Sequence, residues 1–415
     1  MTKDMTTGAI TPLLVKFTIP LVLGNLFQLT YNAADSIIVG KFVGEDALAA
    51  VGTSNPLMTL AILFINGLCL GAGILVSTAY GAGDTQRVER QVSTTAIAGT
   101  VFSLVFSALC VLLATPLLRL MQVPEEILPI AVQYLRIVFA GLIFTFFYNF
   151  LAATMRALGD SKATLYFLLV SSILNVVLDL AFVAGLGLGV AGAAVATVIS
   201  QIAACVIGFA YMHRKYTLRR FSLRELRLDV KTAGRILHVG APMAIQQSIV
   251  SCGFLFLQRL VNLYGESMIA SYTVATRMEN ILMIPILGVQ NTMATFAGQN
   301  MGAQRPDRVS RGLGQGVLVS LSMTLVLCLC QIFGISRIIR AFQLDEAAAA
   351  ICRLHLFSSA VAMPIFAVYF PANGMCQGVG EGFHATFFAL LALGLRVIFA
   401  YALHNTALFG YTAVW

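Results

Sequence analysis

Charged residues are scarce in this sequence. Asp, Glu, Lys and Arg make up 11% of its 415 residues, whereas 59% are hydrophobic. A soluble globular chain carries about 25% charged residues, so the composition excludes an ordinary soluble domain. Six stretches lack charged side chains altogether, and each exceeds the roughly 20 residues that span a bilayer as a helix. They are residues 47–83, 91–118, 180–213, 280–304, 312–336 and 354–380.

The sequence also lacks the motifs of several other protein classes. Its eight cysteines lie in apolar stretches without a CxxC pair, which argues against disulfides and cysteine-ligated metal. No Walker A motif, nucleophile elbow or His/Cys metal-ligand spacing occurs. We therefore predict that the protein is not an enzyme and holds no cofactor. The net charge of +8 arises in short connections between apolar segments, so we expect no nucleic-acid partner.

The apolar segments predict an all-α polytopic membrane protein. We interpret them as eleven spans, the first at about 17–39 and the last at about 385–409. The alternation typical of a membrane β-barrel is missing. Basic residues concentrate in alternate connections, above all in residues 213–235. The positive-inside rule therefore places these connections and the N-terminus in the cytoplasm.

An internal repeat appears when the chain is compared with itself at an offset of 221. The matching pairs are Gly81 and Gly302, Ala82 and Ala303, Arg87 and Arg308, Val88 and Val309, Arg90 and Arg311, Tyr148 and Tyr369, and Gly159 and Gly380. An offset of 222 places Pro20 on Pro242. An even number of spans in each repeat gives both halves the same orientation. The sequence thus predicts two six-helix bundles related as parallel pseudo-two-fold repeats.

The repeat also predicts the domain limits. We expect an N-terminal bundle at 1–212, a basic cytoplasmic linker at 213–235 and a C-terminal bundle at 236–415. The second bundle has five spans where the first has six. The expected twelfth helix is therefore missing from this sequence.

Two acidic residues inside predicted spans are the strongest candidates for a site. At 1.5 Å per helical residue, Asp35 and Asp179 each lie about 9 Å inside the outer ends of their spans, and Thr197 lies about 12 Å inside. Asn175 shares a helix face with Asp179, as Gln201 does with Thr197. Charged side chains within spans are costly and usually functional. Oxygens of Asp35, Asn175, Asp179 and Thr197 can bind Na⁺, and equally two neighbouring carboxyls can hold a proton.

Other polar residues are candidates for an accessory role. Gln28 and Tyr31 lie on the same face of the first span as Asp35. Pro20 permits a bend in that helix. Asn149 lies closer to the cytoplasmic side, where it could line an inner cavity.

One acid of the second half, Glu279, lies near the predicted midplane of the membrane. The sequence leaves two roles open for it. It either faces a cavity and attracts a cationic solute, or it pairs with Arg259 or Arg277.

Taken together, these features resemble the multidrug and toxic compound extrusion (MATE) family, within the multidrug/oligosaccharidyl-lipid/polysaccharide flippase superfamily. The resemblance rests on Pro20, the Asp35 to Gly40 segment, the Gly81-Ala82 and Gly302-Ala303 loops, Arg156 to Asp160, Asn175 to Asp179, and Thr197. It implies twelve helices and alternating-access export of cationic, amphipathic drugs in exchange for H⁺ or Na⁺. It further implies that Asp35, Asn175, Asp179 and Thr197 bind the coupling cation.

The resemblance also implies partners and a location. We expect small organic cations and the lipid bilayer as partners, and a monomer in the bacterial cytoplasmic (inner) membrane. Two alternatives remain at this point. One is a lipid-linked oligosaccharide flippase of the same superfamily. The other is an intramembrane aspartyl protease, because residues 81–84 match GxGD and end in Asp84.

Overall fold

The computed structural model describes most of the chain. The described residues are 4–216, 228–404, 406 and 411–412. Much of the predicted linker at 213–235 lies outside them. Four basic residues of that linker therefore lie outside the described residues: Arg219, Arg220, Arg224 and Arg227.

Within the described residues the chain forms twelve α-helices and no strand. The helices are α1 (Ile10–Phe42), α2 (Glu45–Gly81), α3 (Thr85–Leu120), α4 (Leu128–Ala140), α5 (Leu142–Ala157), α6 (Ser161–Asp179), α7 (Gly189–Lys215), α8 (Val230–Asn262), α9 (Glu266–Gly302), α10 (Pro306–Ala341), α11 (Glu346–Gly378) and α12 (Gly382–Leu403). A π-helical turn, Leu180–Gly185, continues α6. The predicted all-α class is confirmed.

Most of these helices are long enough to cross a membrane. Nine described helices meet that condition by length and apolar character, and α4 with α5 forms a tenth span bent by 46°. The sequence predicted a single fourth span, whereas the structure bends it at Gly141. A Cβ atom on Gly141 would lie 2.5 Å from Cγ2 of Val198 on α7, so the glycine permits a close helix contact at the bend. The predicted span at 236–263 corresponds to α8, which is less apolar than most of the others and is not in this group.

The helix boundaries repeat along the chain. Helices α2 and α9 begin and end at positions related by the offset of 221, as do α3 and α10, and the starts of α6 and α12 are related in the same way. The turn after α3 contains Gln122 at φ 57°, and the turn after α10 contains Gln343 at φ 51°. Left-handed backbone is uncommon for residues other than glycine. Its recurrence at the same offset confirms the predicted internal repeat.

The described helices form two compact units, and each unit takes one end of a long helix from the other half of the sequence. Unit 1 comprises Met1–Asp4 and Leu23–Ile245, and unit 2 comprises Met5–Val22 and Gln246–Trp415. The start of α1 therefore packs with second-half helices, and the start of α8 packs with first-half helices. The limits at 212 and 235 stay a prediction.

Small residues explain how α8 enters unit 1. A Cβ atom on Gly67 of α2 would lie 2.4 Å from the Ala244 Cα, and one on Gly71 would lie 2.4 Å from the Gly240 Cα. Such approaches are typical of membrane helices, whose association depends on close backbone packing. In unit 2, the hydroxyl groups of Thr18 on α1 and Thr292 on α9 lie 2.8 Å apart. This buried contact links the start of α1 to α9.

Asp160 ties the start of α6 to the end of α7. Its carboxylate accepts hydrogen bonds from the Ala163 amide at 3.2 Å and the Tyr211 hydroxyl at 2.8 Å, and it forms an ion pair with Lys215. Burial raises the pKa of Asp160, but the hydrogen bonds from Lys215, Tyr211 and Ala163 outweigh it and hold that pKa below its usual value. The repeat equivalent, Glu381, is largely exposed, with a side chain 62% accessible.

Candidate cation site

The carboxyl groups of Asp35 on α1 and Asp179 on α6 lie against each other in unit 1. Asp179 is completely buried and is the last residue of α6. The π-helical turn Leu180–Gly185 follows it directly. Such turns often occur at functional sites. The structure therefore brings together the two acids that the sequence placed at equal depth.

Most oxygens of this pair have no hydrogen-bond donor. Oδ1 of Asp35 and both carboxylate oxygens of Asp179 are buried and have no donor among the other described residues, so a proton on one carboxyl is what allows the two to hydrogen-bond to each other. Buried polar groups are normally satisfied, so each exception needs an explanation. Two carboxylates that are both ionised at about 4 Å repel each other by about 4 kcal/mol at an effective dielectric constant of about 20. A proton or a metal cation held between them would remove that repulsion and supply the missing partner.

Asn175 and Thr197, the other two predicted ligands, contact each other. Asn175 lies one turn before Asp179 and is buried, and its Nδ2 donates to Thr197 Oγ1 at 3.4 Å. Thr197 Oγ1 in turn donates to the Ala193 carbonyl at 3.1 Å. Carboxylate, amide and hydroxyl oxygens suit a hard cation such as Na⁺. No group of three His, Cys, Asp or Glu side chains that could hold a metal occurs in the described part of the chain.

Three further residues border the pair. Tyr31 on α1 interacts electrostatically with Asp35 and shares a hydrogen bond with Gln28. Tyr134 on α4 interacts electrostatically with both carboxyls. Tyr134 was not among the predicted site residues, because no local pattern connects it with acids so distant along the chain. Only its position in a predicted span could have drawn attention to it.

A buried apolar cluster follows the pair along both helices in unit 1. Ile38 and Val39 follow Asp35 along α1, and Val183 follows Asp179 in the π-helical turn. They belong to one buried cluster with Val190 and Ala194 of α7. Apolar packing next to the carboxyls lowers the local dielectric constant, which strengthens electrostatic interactions there.

Asn149 and Gln201 form a separate polar group. Thr145 connects them, because its hydroxyl donates to Gln201 Oε1 at 2.7 Å and its carbonyl accepts from Asn149 Nδ2 at 2.8 Å. Among the described contacts, neither residue donates a hydrogen bond to the buried oxygens of Asp35 and Asp179. Their accessory role stays a prediction.

The two remaining candidates lie in unit 2. Glu279 on α9 has a histidine partner, since its Oε1 lies 3.0 Å from His355 Nε2 on α11. The sequence left open a cavity-facing role or pairing with Arg259 or Arg277, and the partner that the structure shows, His355, was not foreseen. Pro20 lies inside α1, which continues as a helix from Ile10 to Phe42.

Asp84 has a structural role instead of a catalytic one. It caps the N-terminus of α3, where its side chain accepts a hydrogen bond from the Arg87 amide at 2.9 Å. Such caps satisfy a backbone donor that would otherwise be left without a partner at the helix start. The GxGD match therefore marks a helix cap, and the protease alternative is not supported.

Two repeated membrane-spanning bundles, with a buried carboxylate pair in one of them, define a polytopic membrane transporter. The MatE family model matches residues 20–181 and 242–402, one segment in each repeat. These segments cover more than half of the chain. The chain belongs to the MatE family, and it is accordingly a transporter and not an enzyme.

Individual relatives agree with this membership. The chain is 31% identical over 378 residues to the "Probable multidrug resistance protein YpnP" of Bacillus subtilis, covering 91% of this chain and 84% of the relative. It is 23% identical to the "Multidrug export protein MepA" of Staphylococcus aureus, covering 97% and 88%. A crystal structure of "MATE in complex with MaL6" superposes with a TM-score of 0.90 at 26% identity, covering 100% of this chain and 94% of that one.

Proposed function

We propose that the chain is a secondary active multidrug efflux antiporter that exports small cationic or amphipathic compounds in exchange for H⁺ or Na⁺. The observation that carries the proposal is the group of three buried carboxylate oxygens without a donor, contributed by Asp35 and Asp179. The names of the relatives YpnP and MepA favour drugs as the exported class. The basic connections favour a cytoplasmic N-terminus in the bacterial inner membrane, and the proposed unit is a monomer.

The coupling step follows from charge balance. With a cation bound, the Asp35 and Asp179 pair loses its repulsion, and the helices that carry it are stabilised in one arrangement. Once the cation leaves, the repulsion returns and favours another arrangement. The cation and the drug then compete for conformational states, and they need not share atoms.

Stoichiometry sets how strongly the transporter concentrates its substrate. One positive charge that moves down 100 mV releases about 2.3 kcal/mol, which is a little more than tenfold in concentration at about 1.4 kcal/mol per decade. Exchange of one H⁺ for one monovalent drug moves no net charge and depends on the pH gradient alone.

Efflux from vesicles tests the proposal. Asp35→Asn and Asp179→Asn, made separately, are expected to reduce cation-driven efflux of a fluorescent organic cation by at least about tenfold. Asp46→Asn is the matched control, because Asp46 is an exposed acid at the start of α2. Wild-type efflux by both site variants would refute the role of the pair. Comparison of an imposed Na⁺ gradient with an imposed pH gradient identifies the coupling ion.

A further inference from the structure

A groove runs between α10 and α11 of unit 2, close to the turn that connects these two helices. Its volume is about 500 Å³, which lies within the range of about 300–1,000 Å³ that is usual for small-molecule sites. The apolar lining includes Ile332 and Ile335 of α10 and Leu354 and Phe357 of α11. Ile335 is buried in a cluster with residues of α11, whereas Phe357 is half exposed. The groove therefore has an apolar floor and opens at the surface of the molecule.

Two polar residues line the same groove, Ser336 of α10 and Arg353 of α11. A second guanidinium lies beside them, because Arg340 Nε donates to the Ser336 carbonyl at 3.2 Å. Within the described part of the chain, no acid lies within ion-pair distance of Arg340 or Arg353. Glu346, an exposed acid, lies seven residues before Arg353 at the start of α11. The groove thus joins an apolar surface to two guanidinium groups that lack acidic partners.

The polar end of the groove lies at the depth where a bilayer changes from headgroups to hydrocarbon. Helix α11 has 33 residues and is about 50 Å long, which is about 20 Å more than the hydrocarbon core. A centred helix therefore extends about 10 Å beyond the core at each end. Arg353 lies seven residues from the start of α11, or about 10 Å along its axis. Phe357 lies one turn deeper, within the core.

The equivalent turn of unit 1 also contains a guanidinium next to a hydroxyl group. The offset of 221 places Thr115 on Ser336 and Arg136 on Phe357. Arg136 Nη2 donates to the Thr115 hydroxyl at 3.3 Å, so this guanidinium has a partner on the neighbouring helix. Arg353 has no hydrogen-bond partner among the described residues, and a guanidinium carries five N–H donors. Unit 2 therefore leaves these donors available to a ligand in the groove.

The face of α11 that bears the groove is exposed in both units. The offset of 221 aligns three exposed residues of α11 with three exposed residues of α4, namely Leu354, Phe357 and Val361 with Gln133, Arg136 and Ala140. In unit 1 a different face of α4, with Tyr134 and Val138, packs in one cluster with α7. This face is thus directed away from the helices of its own bundle. In a membrane-spanning protein, such an apolar surface contacts lipid.

We propose that the groove binds one phospholipid with a net negative headgroup. Arg353 and Arg340 donate charge-assisted hydrogen bonds to the phosphate oxygens, for which a guanidinium has matching geometry. One acyl chain lies along the apolar lining formed by Ile332, Leu354 and Phe357. A free phosphate ion would leave that lining uncovered, so the groove fits a lipid better than a soluble anion. The bound lipid links α10 to α11, because its headgroup contacts both helices. This site does not depend on the proposed antiport.

Quenching of a single tryptophan by brominated lipid tests this site. Trp415 is the one tryptophan of the sequence, so Trp415→Phe combined with Phe357→Trp places the fluorophore in the groove. The full-length protein is reconstituted in phosphatidylcholine with increasing fractions of brominated phosphatidylglycerol or brominated phosphatidylcholine. Half-maximal quenching should need about fivefold less of the anionic lipid. Equal quenching by the two lipids would overturn the proposal.

Substitutions added to this reporter distinguish the groove from general surface charge. Arg353→Gln should abolish the preference for phosphatidylglycerol. Arg337→Gln removes an exposed guanidinium at the same end of α10 and should keep the preference. Ala350→Phe fills the groove without a change of charge, so it should reduce quenching by both lipids, whereas Ala347→Phe, at an exposed position outside the groove, should not. An unchanged preference in Arg353→Gln, or an equal loss in Arg337→Gln, would contradict the proposed site.

A second reporter position measures the behaviour of bulk lipid. Phe333 is 82% exposed on α10 and does not line the groove. Phe333→Trp, in place of Phe357→Trp, should be quenched equally by the two brominated lipids. A preference of the same size at both positions would show that the whole surface attracts anionic lipid, which would refute a specific site.

Discussion

At the same helix crossing, equivalent positions in the two units carry residues of opposite character, acidic in unit 1 and apolar in unit 2. The repeat places Asp179 on Ala400 with an offset of 221, and Asp35 on Leu257 with the offset of 222 that aligns the prolines. Leu257 and Ala400 are both completely buried, and they share an apolar cluster with Val261. Unit 2 therefore closes this crossing by apolar packing, whereas unit 1 closes it with two carboxyls.

The difference is energetically large. Full burial of a leucine side chain gains about 1.5–3 kcal/mol. A buried carboxyl without a partner costs free energy. A crossing that can be closed by aliphatic residues, as unit 2 shows, has no structural need for Asp35 and Asp179. The proposed cation site gives these two acids a role that packing alone does not.

The two units also differ in the polar side chains that lie between their helices. In unit 2, Asn373 Oδ1 accepts from Gln290 at 3.1 Å and from Gln377 at 2.9 Å, which forms a neutral network. The repeat equivalents of Gln290 and Gln377 are Cys69 and Arg156. These two residues interact electrostatically in unit 1. Unit 1 thus has a charged group where unit 2 has a neutral network, in addition to the acids at the helix crossing.

The largest expected change in stability comes from introducing an acid in unit 2 at the position equivalent to Asp179. Ala400→Asp places a carboxyl without a designed partner among Leu257 and Val261, so we expect the free energy of unfolding to fall by more than about 3 kcal/mol. Thermal unfolding in detergent measures it. Asp179→Ala, the reverse change, should unfold no lower than the wild type and lose cation-driven transport. An Ala400→Asp protein as stable as the wild type would break the comparison.

The next effect concerns helix packing. A Cβ atom on Gly374 would lie 2.2 Å from the Gln290 carbonyl, a backbone atom that cannot easily move. Its repeat equivalent in unit 1 is Ala153, so the same position tolerates a methyl group there. We expect Gly374→Ala to destabilise the protein by about 2 kcal/mol through overpacking.

Gly73 provides the matched control for that substitution. A Cβ atom on Gly73 would lie 3.4 Å from the Ala153 Cβ, which is ordinary contact. Gly73→Ala should therefore change stability by less than about 0.5 kcal/mol. Equal unfolding temperatures for Gly374→Ala and Gly73→Ala would show that α9 and α11 pack less closely than described.

The smallest effect compares two carboxylates outside the spans. Asp160→Asn weakens the contacts to Lys215 and Tyr211, and after allowance for partial exposure we expect a loss of about 1 kcal/mol. Because the pKa of Asp160 is lowered in the folded state, its contribution is present above the unfolded-state pKa and disappears as the pH falls through the folded-state pKa. The difference between variant and wild type should therefore shrink in acid.

Glu381→Gln is the corresponding change in unit 2. Its side chain is 62% exposed beside His384, which is 67% exposed, and exposed pairs contribute about 0–1 kcal/mol. We expect a smaller shift in unfolding temperature than for Asp160→Asn. A larger shift for Glu381→Gln would reverse this part of the comparison.

Much of the fold was predictable because it depends on local composition and on the repeat. Charge-free stretches predict the spans, and the match of Gly81 with Gly302 and of Arg87 with Arg308 fixes the offset of 221 at which the helix boundaries recur. The exchange of helix ends between units was not predictable. It depends on contacts such as that of Gly67 with Ala244, for which residue spacing gives no signal.

The candidate site was accessible to sequence reasoning only in part. Depth along a helix places Asp35 and Asp179 at one level, because helical rise is constant. The π-helical turn after Asp179 and the contact with Tyr134 depend on tertiary packing. The partner of Glu279 was missed for the same reason, since His355 is 76 residues away on another helix.

Ion counterflow driven by a substrate gradient is the decisive test of the coupling proposed for Asp35 and Asp179. The protein is reconstituted in liposomes, a gradient of tetraphenylphosphonium is imposed, and opposite movement of H⁺ or Na⁺ is recorded with a trapped pH dye and with radioactive sodium. We expect substrate-driven counterflow of one of these ions in the wild type and none in a folded Asp35→Asn, Asp179→Asn double variant. Equal counterflow in the double variant would contradict it.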